Sequence, residues 1–435
     1  MPKNPPEKSV AVIGGGIIGS SIARELALEG HEVAVLEKES TLGFHQSGRN
    51  SGVLHSGTVQ AYLSDEMASL KVQMCIEGND KAKKFCKDHG VAVQECGTLY
   101  IARKGEGEKL EEMLASGNWQ GIGGLRILSN SELAKAEPRI GNGLDETALL
   151  APSGAIVDSI GFLKAVARDA ESLGVKYVFD FPVTQVQRVD DKILSLHSGI
   201  GHELFVSHVV NAAGLYADKI AHQMDLDLEY TIIPFRGEYR EVDGLEIKSM
   251  IYHIPDKRFP FLGVHLTPTI DGIVIAGPTS ALAFGRESYD GEFNKEETRE
   301  MLSTRNFWHM ALSPKTIALY LRNRKISKSE KAFLGEVQEI APSVTMQDLS
   351  SHPAGIRAQV VDRKGKMHNA FIVDFQKDST HVLNAVSPGM TCALPFAEYV
   401  VRGIKFYERE GRAPTKNELM EKMYSPVRPA PSPEP

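Results

Sequence analysis

The sequence predicts an α/β plus α+β protein in which a Rossmann-type domain is interleaved with a second domain built on an antiparallel sheet. Three observations support this fold class. A strand, a glycine-rich turn, a helix and a second strand follow one another within residues 9–37. Strands that run into glycine-bearing turns recur near residues 210 and 390. Residues 228–335 contain strand-like pieces and then charged helical stretches, which is typical of an antiparallel sheet covered by helices.

The composition is that of an ordinary globular protein. The chain has 435 residues, of which 42% are hydrophobic and 24% charged, so it can bury a sizeable core and form about two domains. The net charge of −7 gives no overall attraction to nucleic acid, which we do not expect as a partner. The cysteines are too few and too scattered to indicate a disulfide scaffold or a zinc site: Cys75, Cys86, Cys96 and Cys392.

The distribution of apolar residues predicts no transmembrane segment, because no run is long and apolar enough to cross a bilayer. The first ten residues, MPKNPPEKSV, have the pattern of neither a signal peptide nor a transit peptide. We therefore expect a cytoplasmic location. A peripheral position on an inner membrane, or a mitochondrial one if a transit segment has been removed, stays an alternative.

The first glycine-rich turn has the form of a dinucleotide fingerprint. Its GxGxxG pattern lies between a strand and a helix, where glycines permit a tight turn, the approach of a pyrophosphate and close packing of helix on strand. The N–H groups at the start of the helix would then bind the phosphates. The contacts predicted from this segment are Gly14, Gly16, Ile17, Ile18 and Gly19.

The end of the second strand supplies the next expected contact. Glu37, followed by Lys38, lies where a carboxylate accepts hydrogen bonds from ribose hydroxyls. The fingerprint alone does not distinguish NAD from FAD. A nicotinamide dehydrogenase normally completes its cofactor domain in one stretch, whereas strand–glycine elements return here at VVNAAG and NAVSPGMT. This recurrence favours non-covalently bound FAD, contacted also by Ala212, Ala213, Gly214, Pro388, Gly389, Met390 and Thr391.

The same recurrence predicts the domain boundaries. The cofactor domain is expected to be discontinuous and to comprise residues 9–85, 150–226 and 340–410. The second domain, which would bind the substrate, is expected at 86–149 and 227–339. The proline-rich residues 425–435 are expected to be disordered.

Several narrower motifs carry a family resemblance: HQSGRNSGVLHSG, IIPFRGEY, FPFLGVHLTP, HPAGIRAQ and LNAVSPGMT. Together with the fingerprint, they resemble the FAD-dependent L-2-hydroxyglutarate dehydrogenases and oxidases, a branch of the D-amino-acid-oxidase-like (DAO) flavoproteins. The resemblance extends over residues 9–405. It implies that an L-2-hydroxy acid transfers a hydride to flavin N5 and becomes a 2-oxo acid such as 2-oxoglutarate. A quinone, an electron-carrier protein or oxygen would then reoxidise the flavin.

Such a reaction needs a base for the hydroxyl proton and cations for carboxylate groups. His55 is the predicted base because neutral imidazole accepts protons near neutral pH and because the family's matching histidine lies in the same motif. His265 is its rival. Arg236 and Arg357, each beside a glycine, are the predicted carboxylate ligands, since guanidinium binds carboxylates in bidentate fashion. The hydroxyls of Tyr252 and Tyr239 could donate to the same anion.

The resemblance adds further cofactor contacts. The short polar loop after the second strand is suited to bind the pyrophosphate and the flavin edge through its N–H groups, and its predicted contacts are Ser47, Arg49, Asn50, Ser51 and Gly52. Val183 matches the position whose backbone typically meets adenine in the superfamily, and Arg357 is counted among the cofactor contacts as well. Pro388 begins the segment expected under the flavin pyrimidine ring, at the N-terminus of the last long helix.

Some positions depart from the family pattern. The segment from His55 to Lys71 is longer than the family's HAG-x-YY-x-PGSLKA and lacks its paired tyrosines. Thr269 and Gly285 stand where the family tends to have an arginine and a lysine. The exact substrate therefore stays open: another 2-hydroxy acid, an amino acid or amine, or glycerol 3-phosphate is the alternative. A catalytically silent FAD-binding protein is a third hypothesis.

Overall fold

The computed structural model describes residues 6, 8–64, 66, 69–103, 105–140, 147–257 and 262–424. The predicted disordered tail at 425–435 lies outside these residues.

The strands, in chain order, are β1 (Ser9–Ile13), β2 (Glu32–Leu36), β3 (Val53–Leu54), β4 (Val93–Glu95), β5 (Thr98–Ile101), β6 (Arg126–Leu128), β7 (Ala148–Ala151), β8 (Ala155–Val157), β9 (Lys176–Val178), β10 (Val183–Arg188), β11 (Leu194–Ser198), β12 (Glu203–Val206), β13 (His208–Asn211), β14 (Thr231–Val242), β15 (Met250–His253), β16 (His265–Pro268), β17 (Val274–Gly277), β18 (Ala281–Leu282), β19 (Leu349–Val361), β20 (Ile372–Phe375) and β21 (Ser379–Asn384).

The α-helices are α1 (Ile17–Leu28), α2 (Thr58–Tyr62), α3 (Leu70–Asp88), α4 (Gly107–Trp119), α5 (Asn130–Ala136), α6 (Ser159–Ser172), α7 (Ala217–Gln223), α8 (Lys295–Ser303), α9 (Arg305–Ala311), α10 (Pro314–Lys328), α11 (Glu330–Gln338), α12 (Gly389–Glu410) and α13 (Lys416–Met423). Two short 3₁₀ turns cover Gly214–Tyr216 and Met346–Asp348.

A six-stranded sheet forms the first unit, in the order β20-β21-β13-β1-β2-β9. Its central strand β1 is parallel to β2 and β13, and only the edge strand β20 runs antiparallel to its neighbour. Because successive side chains of a strand point to opposite faces, Val10 and Val12 pack with α1, α3 and α12, whereas Ala11 and Ile13 pack with β10–β12. Both faces of β1 are therefore covered, which explains why the whole strand is apolar or buried.

A nine-stranded sheet forms the second unit, in the order β18-β14-β17-β16-β15-β5-β7-β6, with β19 paired to β14. Most neighbours are antiparallel, but β5 and β15 run parallel, so the predicted antiparallel sheet is a mixed one. The side chains of β5 and β15 alternate between the two faces of the sheet and so belong to two separate cores. Leu99 and Ile251 pack toward α11, and Tyr100 and Tyr252 pack toward α4. The predicted fold class, a Rossmann-type unit interleaved with a second sheet, is confirmed.

Strand β19 corrects one predicted domain assignment. The segment 340–410 was expected to belong wholly to the cofactor domain, but β19 pairs with β14 along nearly its whole length, in the sheet of the second unit. The physical reason is that β19 pairs with β14 from Thr231 to Val242 and so satisfies the backbone groups along that edge of the strand. The chain thus returns to the first sheet later than predicted, at β20, and the number of passages between the units is the predicted one.

None of the described helices combines the length and the apolar composition that crossing a membrane requires.

A buried histidine in β21, the strand next to the edge strand β20 of the first sheet, constrains the pH range of stability. His381 in β21 is fully buried, and its Nε2 lies 3.0 Å from the Ser379 hydroxyl. The Asn211 amide nitrogen, which also donates to the Ala217 carbonyl, lies 3.1 Å from His381 Nδ1, so that nitrogen acts as an acceptor. Burial lowers the pKa of His381 to about 4, although the nearby carboxylates of Asp374 and Asp378 act in the opposite direction.

We expect this histidine to make the fold sensitive to acid. A histidine whose folded pKa is below its unfolded value of about 6.5 takes up protons preferentially in the unfolded chain, so its contribution to stability is present above pH 6.5 and is lost as the pH falls toward 4. Lowering the pH from 7.5 to 5 should cost about 2 kcal/mol through this group alone. Urea unfolding across this range measures the loss. His381→Gln should be less stable at pH 7.5 but lose less on acidification, and parallel curves for the two proteins would contradict the assignment.

Candidate active site

A cavity of about 1400 Å³ lies where the two units meet. It begins at the carboxyl ends of the parallel strands β1 and β13, the place where open α/β sheets bind ligands. Its volume exceeds that of a typical small-ligand pocket, so it can hold a large cofactor and a substrate together. The predicted site residues that line it are Gly16, Ile17, Ile18, Gly19, Ser47, Arg49, Asn50, Ser51, His55, Ala212, Gly214, Tyr239, Tyr252, His265, Arg357, Pro388, Gly389 and Met390.

The start of α1 is brought to the cavity by close backbone contacts. A Cβ atom on Gly19 would lie 2.0 Å from the Gly14 carbonyl oxygen, and one on Gly14 would lie 2.6 Å from the Ala212 carbonyl oxygen. Only glycine therefore lets the helix, the first turn and the turn after β13 approach one another this closely. The Ile17 N–H donates to the Ser47 hydroxyl at 2.9 Å, which attaches the polar loop to the same helix end.

The polar loop at residues 46–52 is held in shape by one side chain. The Asn50 amide donates to the carbonyls of Gln46 and Ser47, and its oxygen accepts from the Gly52 N–H at 2.9 Å. The loop also contacts β19, because a Cβ on Gly355 would lie 2.4 Å from the Arg49 carbonyl oxygen. The loop thus joins the two units beside the cavity.

The start of α12 forms a second helix end at the cavity. The Thr391 hydroxyl accepts from the His55 backbone N–H at 3.0 Å and donates to the Val53 carbonyl at 3.4 Å. Thr391 is buried behind the lining and holds the helix to the strand that precedes His55. The first turns of α1 and α12, which are fully described, contain no acidic side chain. The positive ends of two helix dipoles therefore point at one cavity. Such ends stabilise negative charge, both on the diphosphate of the expected FAD and on its reduced flavin ring.

Other predicted cofactor contacts are not among the described residues that line the cavity. Glu37 is buried, and its carboxylate accepts from the Gly15 N–H at 2.8 Å and the Glu39 N–H at 3.0 Å. Lys38 forms ion pairs with Glu39 and Glu287. The remaining residues of this group have backbone roles in the turns and strands around the cavity: Gly14, Gly52, Val183 and Ala213. Their contacts with a cofactor stay predictions.

The two predicted bases, His55 and His265, face the same cavity. Burial, with the charge of Lys71, lowers the pKa of His55 to about 4. The pKa of His265 is also lowered to about 4 by burial and by His55, although a hydrogen bond from Nδ1 to the Gly263 carbonyl at 3.0 Å opposes the shift. The ring nitrogens of His55 make no hydrogen bond within the described part of the chain. Both imidazoles are therefore neutral and able to accept a proton.

Aromatic side chains support the second histidine. The His265 ring stacks on the Tyr252 ring, with centroids 4.0 Å apart and planes 17° apart. Tyr252 is itself buried against Tyr100. Burial raises the pKa of Tyr239 to about 12, so its phenol stays protonated and remains a hydrogen-bond donor. Both tyrosines line the cavity, and their hydrogen bonds to a substrate stay predictions.

The two predicted arginines are separated by strand alternation. Phe235, Gly237 and Tyr239 of β14 line the cavity, so the intervening Arg236 points to the opposite face of the sheet. There its guanidinium pairs with Glu238 and reaches the Tyr289 carbonyl. Arg357 of β19 is opposite Phe235 in register and lies on the cavity side. The predicted pair is therefore corrected to Arg357 alone.

The structure also brings Lys71 to the cavity, a cation that the sequence analysis did not predict there. Lys71, at the start of α3, lines the cavity, and its Nζ donates to the Asn369 carbonyl at 2.6 Å. Its only signal was the Ser69–Leu70–Lys71 tripeptide, which the family pattern shares but which lies in the segment that departs from that pattern. Thr269 and Gly285, which stand where the family tends to have cations, are not among the described residues lining the cavity.

Comparison with known proteins identifies the class. The family model for DAO, FAD dependent oxidoreductase, matches residues 9–402. The chain belongs to this family of FAD-dependent oxidoreductases, which confirms the predicted enzyme class and cofactor. It is 32% identical over 410 residues to the mitochondrial L-2-hydroxyglutarate dehydrogenase of Mus musculus, covering 89% of this chain and 86% of that protein. It is 33% identical over 402 residues to the L-2-hydroxyglutarate dehydrogenase of Escherichia coli K12, covering 91% and 92%.

Solved structures agree on the fold. The L-alpha-glycerophosphate oxidase from Mycoplasma pneumoniae, a structure with FAD bound, has a TM-score of 0.72 at 22% identity and covers 91% of this chain and 94% of its own. The glycine oxidase from Geobacillus kaustophilus has a TM-score of 0.64 at 20% identity, with 94% and 95% covered. The residues present fit FAD, because the glycine contacts place the start of α1 at the cavity and because neither Gly16 nor Pro388, the residues that precede α1 and α12, caps its helix with a side-chain hydrogen bond.

The glycine contact at the start of α1 can be tested through flavin content. We expect Gly19→Ala to lower the affinity for FAD by roughly tenfold or more, because the added Cβ would collide with the Gly14 carbonyl and move the helix end away from the phosphates. Gly107→Ala is the matched control, since no described atom lies within 4 Å of its added Cβ. The flavin-to-protein ratio of the purified variants is the measurement, and equal ratios would refute this role of the glycine.

Proposed function

We propose that this protein oxidises L-2-hydroxyglutarate to 2-oxoglutarate with FAD as the hydride acceptor. The observation that carries the proposal is one cavity in which two neutral imidazoles and the Arg357 guanidinium accompany two helix N-termini suited to FAD. The match over about nine tenths of the chain to dehydrogenases named for this substrate supports it.

The chemistry of the polar side chains in the cavity suggests a role for each of them in this reaction. Bound FAD supplies the acceptor for the hydride that leaves the substrate Cα. His55 takes the proton of the substrate hydroxyl, because it is neutral and its ring nitrogens are not engaged by described residues. Arg357 binds a carboxylate, which fixes the orientation of Cα. Tyr239 and Tyr252 donate hydrogen bonds to the anion, and the Tyr252 ring holds His265 in place through the stacking contact.

The proposal also covers the reoxidation of the flavin and the location of the protein. We propose that a quinone, an electron-carrier protein or oxygen reoxidises the flavin, and that the protein acts in the cytoplasm. Mixing the reduced enzyme with each acceptor and following the return of flavin absorbance would rank the three. A peripheral membrane position would show as co-sedimentation with vesicles.

The substrate can be tested by anaerobic reduction of the flavin. We expect L-2-hydroxyglutarate to bleach the oxidised flavin faster than monocarboxylate 2-hydroxy acids, amino acids or glycerol 3-phosphate, because among these compounds it alone combines the hydroxyl with two carboxylates. The D enantiomer is the matched control for stereochemistry. Bleaching by an amine alone would reassign the substrate class, and a flavin that no compound reduces would favour a silent FAD-binding protein.

The base can be tested by substitution. We expect His55→Ala to keep its FAD but to slow flavin reduction by about 100-fold or more, which is the usual effect of losing a general base. His265→Ala should slow it less, because that ring is already hydrogen-bonded to the Gly263 carbonyl and stacked on Tyr252. Stopped-flow reduction at saturating substrate measures both. Near-normal rates in the first variant and slow rates in the second would transfer the role to His265.

A further inference from the structure

A polar contact joins the two units beside the loop at 46–52. Tyr289, in the segment between β18 and α8, is buried, and its hydroxyl lies 2.7 Å from His45 Nδ1. The Arg49 guanidinium lies over the Tyr289 ring, 4.1 Å from its centroid. Neither His45 nor Tyr289 is among the described residues that line the cavity. One side chain of the second unit thus contacts both the residue that precedes the loop and an arginine within it.

One set of hydrogen positions satisfies this contact. Burial would raise the pKa of Glu39, but hydrogen bonds with Lys38 and His45 lower it below its ordinary value. The Glu39 carboxylate therefore accepts a hydrogen bond from His45 Nε2 at 2.8 Å. Burial and the charge of Glu287 raise the pKa of Tyr289, so its phenol stays protonated and donates to His45 Nδ1. The imidazole is thus held on both sides, by Glu39 of the first unit and Tyr289 of the second.

The two carboxylates near His45 share a cation that the protein itself supplies. Lys38 forms ion pairs with Glu39 and Glu287, and the Tyr216 hydroxyl donates to Glu287 at 2.8 Å. These carboxylates and His45 offer ligand atoms close enough to share a metal ion, but the lysine ammonium already lies against both carboxylates. The cluster therefore serves to join the two units.

Arg236 holds the backbone of the Tyr289 segment. It points away from the cavity, and its Nη1 donates to the Tyr289 carbonyl at 3.4 Å. A Cβ on Gly291, whose φ is +88°, would lie 2.5 Å from Arg236 Nη1, so glycine lets the segment approach the guanidinium. The position of Tyr289 is therefore set from β14, in the second sheet.

His45 and Arg49 in turn shape the loop that lines the cavity. The His45 carbonyl accepts from the Arg49 N–H at 3.0 Å, which closes a turn between them. Within this turn, the Ser47 hydroxyl accepts from the Ile17 N–H at 2.9 Å, at the start of α1. The contact with Tyr289 is therefore connected to the helix end where we expect the phosphates of FAD.

We propose that Tyr289 is a positioning residue for FAD. It holds His45 and Arg49 from the second unit and so keeps the loop against the start of α1. The affinity for FAD then depends on a contact between the units that lies outside the cavity lining. By linkage, bound FAD strengthens this contact as much as the contact strengthens FAD binding. The inference concerns the cofactor, so it goes beyond the proposed function and does not depend on the substrate.

Removal of one hydroxyl tests the proposal. Tyr289→Phe keeps the ring under Arg49, and we expect FAD to leave this holoenzyme roughly three- to tenfold faster, the scale of one net hydrogen bond. Tyr407→Phe, in α12 and packed on the core of the first unit, is the matched control and should release FAD at the wild-type rate. The return of flavin fluorescence after dilution measures the release. Equal rates in wild type and Tyr289→Phe would refute the role.

A double-mutant cycle tests whether the effect passes through His45. His45→Leu removes both hydrogen bonds of the imidazole and should also speed the release of FAD. Because the Tyr289 hydroxyl acts through this imidazole, the double variant should release FAD about as fast as His45→Leu alone. Rate effects that multiply would show that the hydroxyl acts independently of His45 and would overturn the proposal.

Hydrogen exchange separates positioning from a general loss of structure. In the Tyr289→Phe holoenzyme, peptides from residues 44–52 should exchange faster than in the wild type, whereas peptides from α4 should exchange equally in both. Removing FAD from the full-length wild type should speed exchange at residues 284–294, which are absent from the described cavity lining. Faster exchange throughout the variant, or no response of 284–294 to FAD, would contradict the coupling.

Discussion

The close backbone contact among the first turn, α1 and the turn after β13 is the constraint on which the rest of the site depends. Glycine at positions 14 and 19 lets these three segments touch, and the contact fixes where α1 begins. Helix α12 packs on α1 through the core that they share with β1, so its own N-terminus takes a defined place. Thr391 then ties that N-terminus to the backbone of His55. A chain of contacts thus leads from the cofactor turn to the proposed base.

The charge distribution of the cavity contrasts with that of the whole chain. The protein has a net charge of −7, yet Lys71 and Arg357 face the cavity beside two histidines that burial keeps neutral. Burial affects the two kinds of group differently: it removes the charge from an imidazole at neutral pH but leaves an arginine charged, because their ordinary pKa values lie far apart. The same cavity therefore holds neutral imidazoles and fixed cations together.

Sequence reasoning succeeded where the signal was local. The fingerprint, the loop at 46–52 and the start of α12 are each set by a few neighbouring residues, and most of their predicted contacts line the cavity. It failed where position depends on long-range pairing. Arg236 and Arg357 look alike in their motifs, but the alternation of β14 and its register with β19 put only Arg357 on the cavity side. The partner of β14 lies more than a hundred residues away, so neither the side of Arg236 nor the sheet of β19 was visible locally.

Lys71 shows why a departure from a motif can mislead. Its segment differs from the family pattern in length, yet α3 begins at Leu70 and carries the lysine into the cavity regardless. The position also couples binding to proton transfer, because the charge of Lys71 contributes to the lowered pKa of His55. An anionic substrate bound beside Lys71 compensates that charge, so the pKa of His55 rises and the imidazole becomes a stronger base. On the proposed function, the substrate thus strengthens the group that takes its proton.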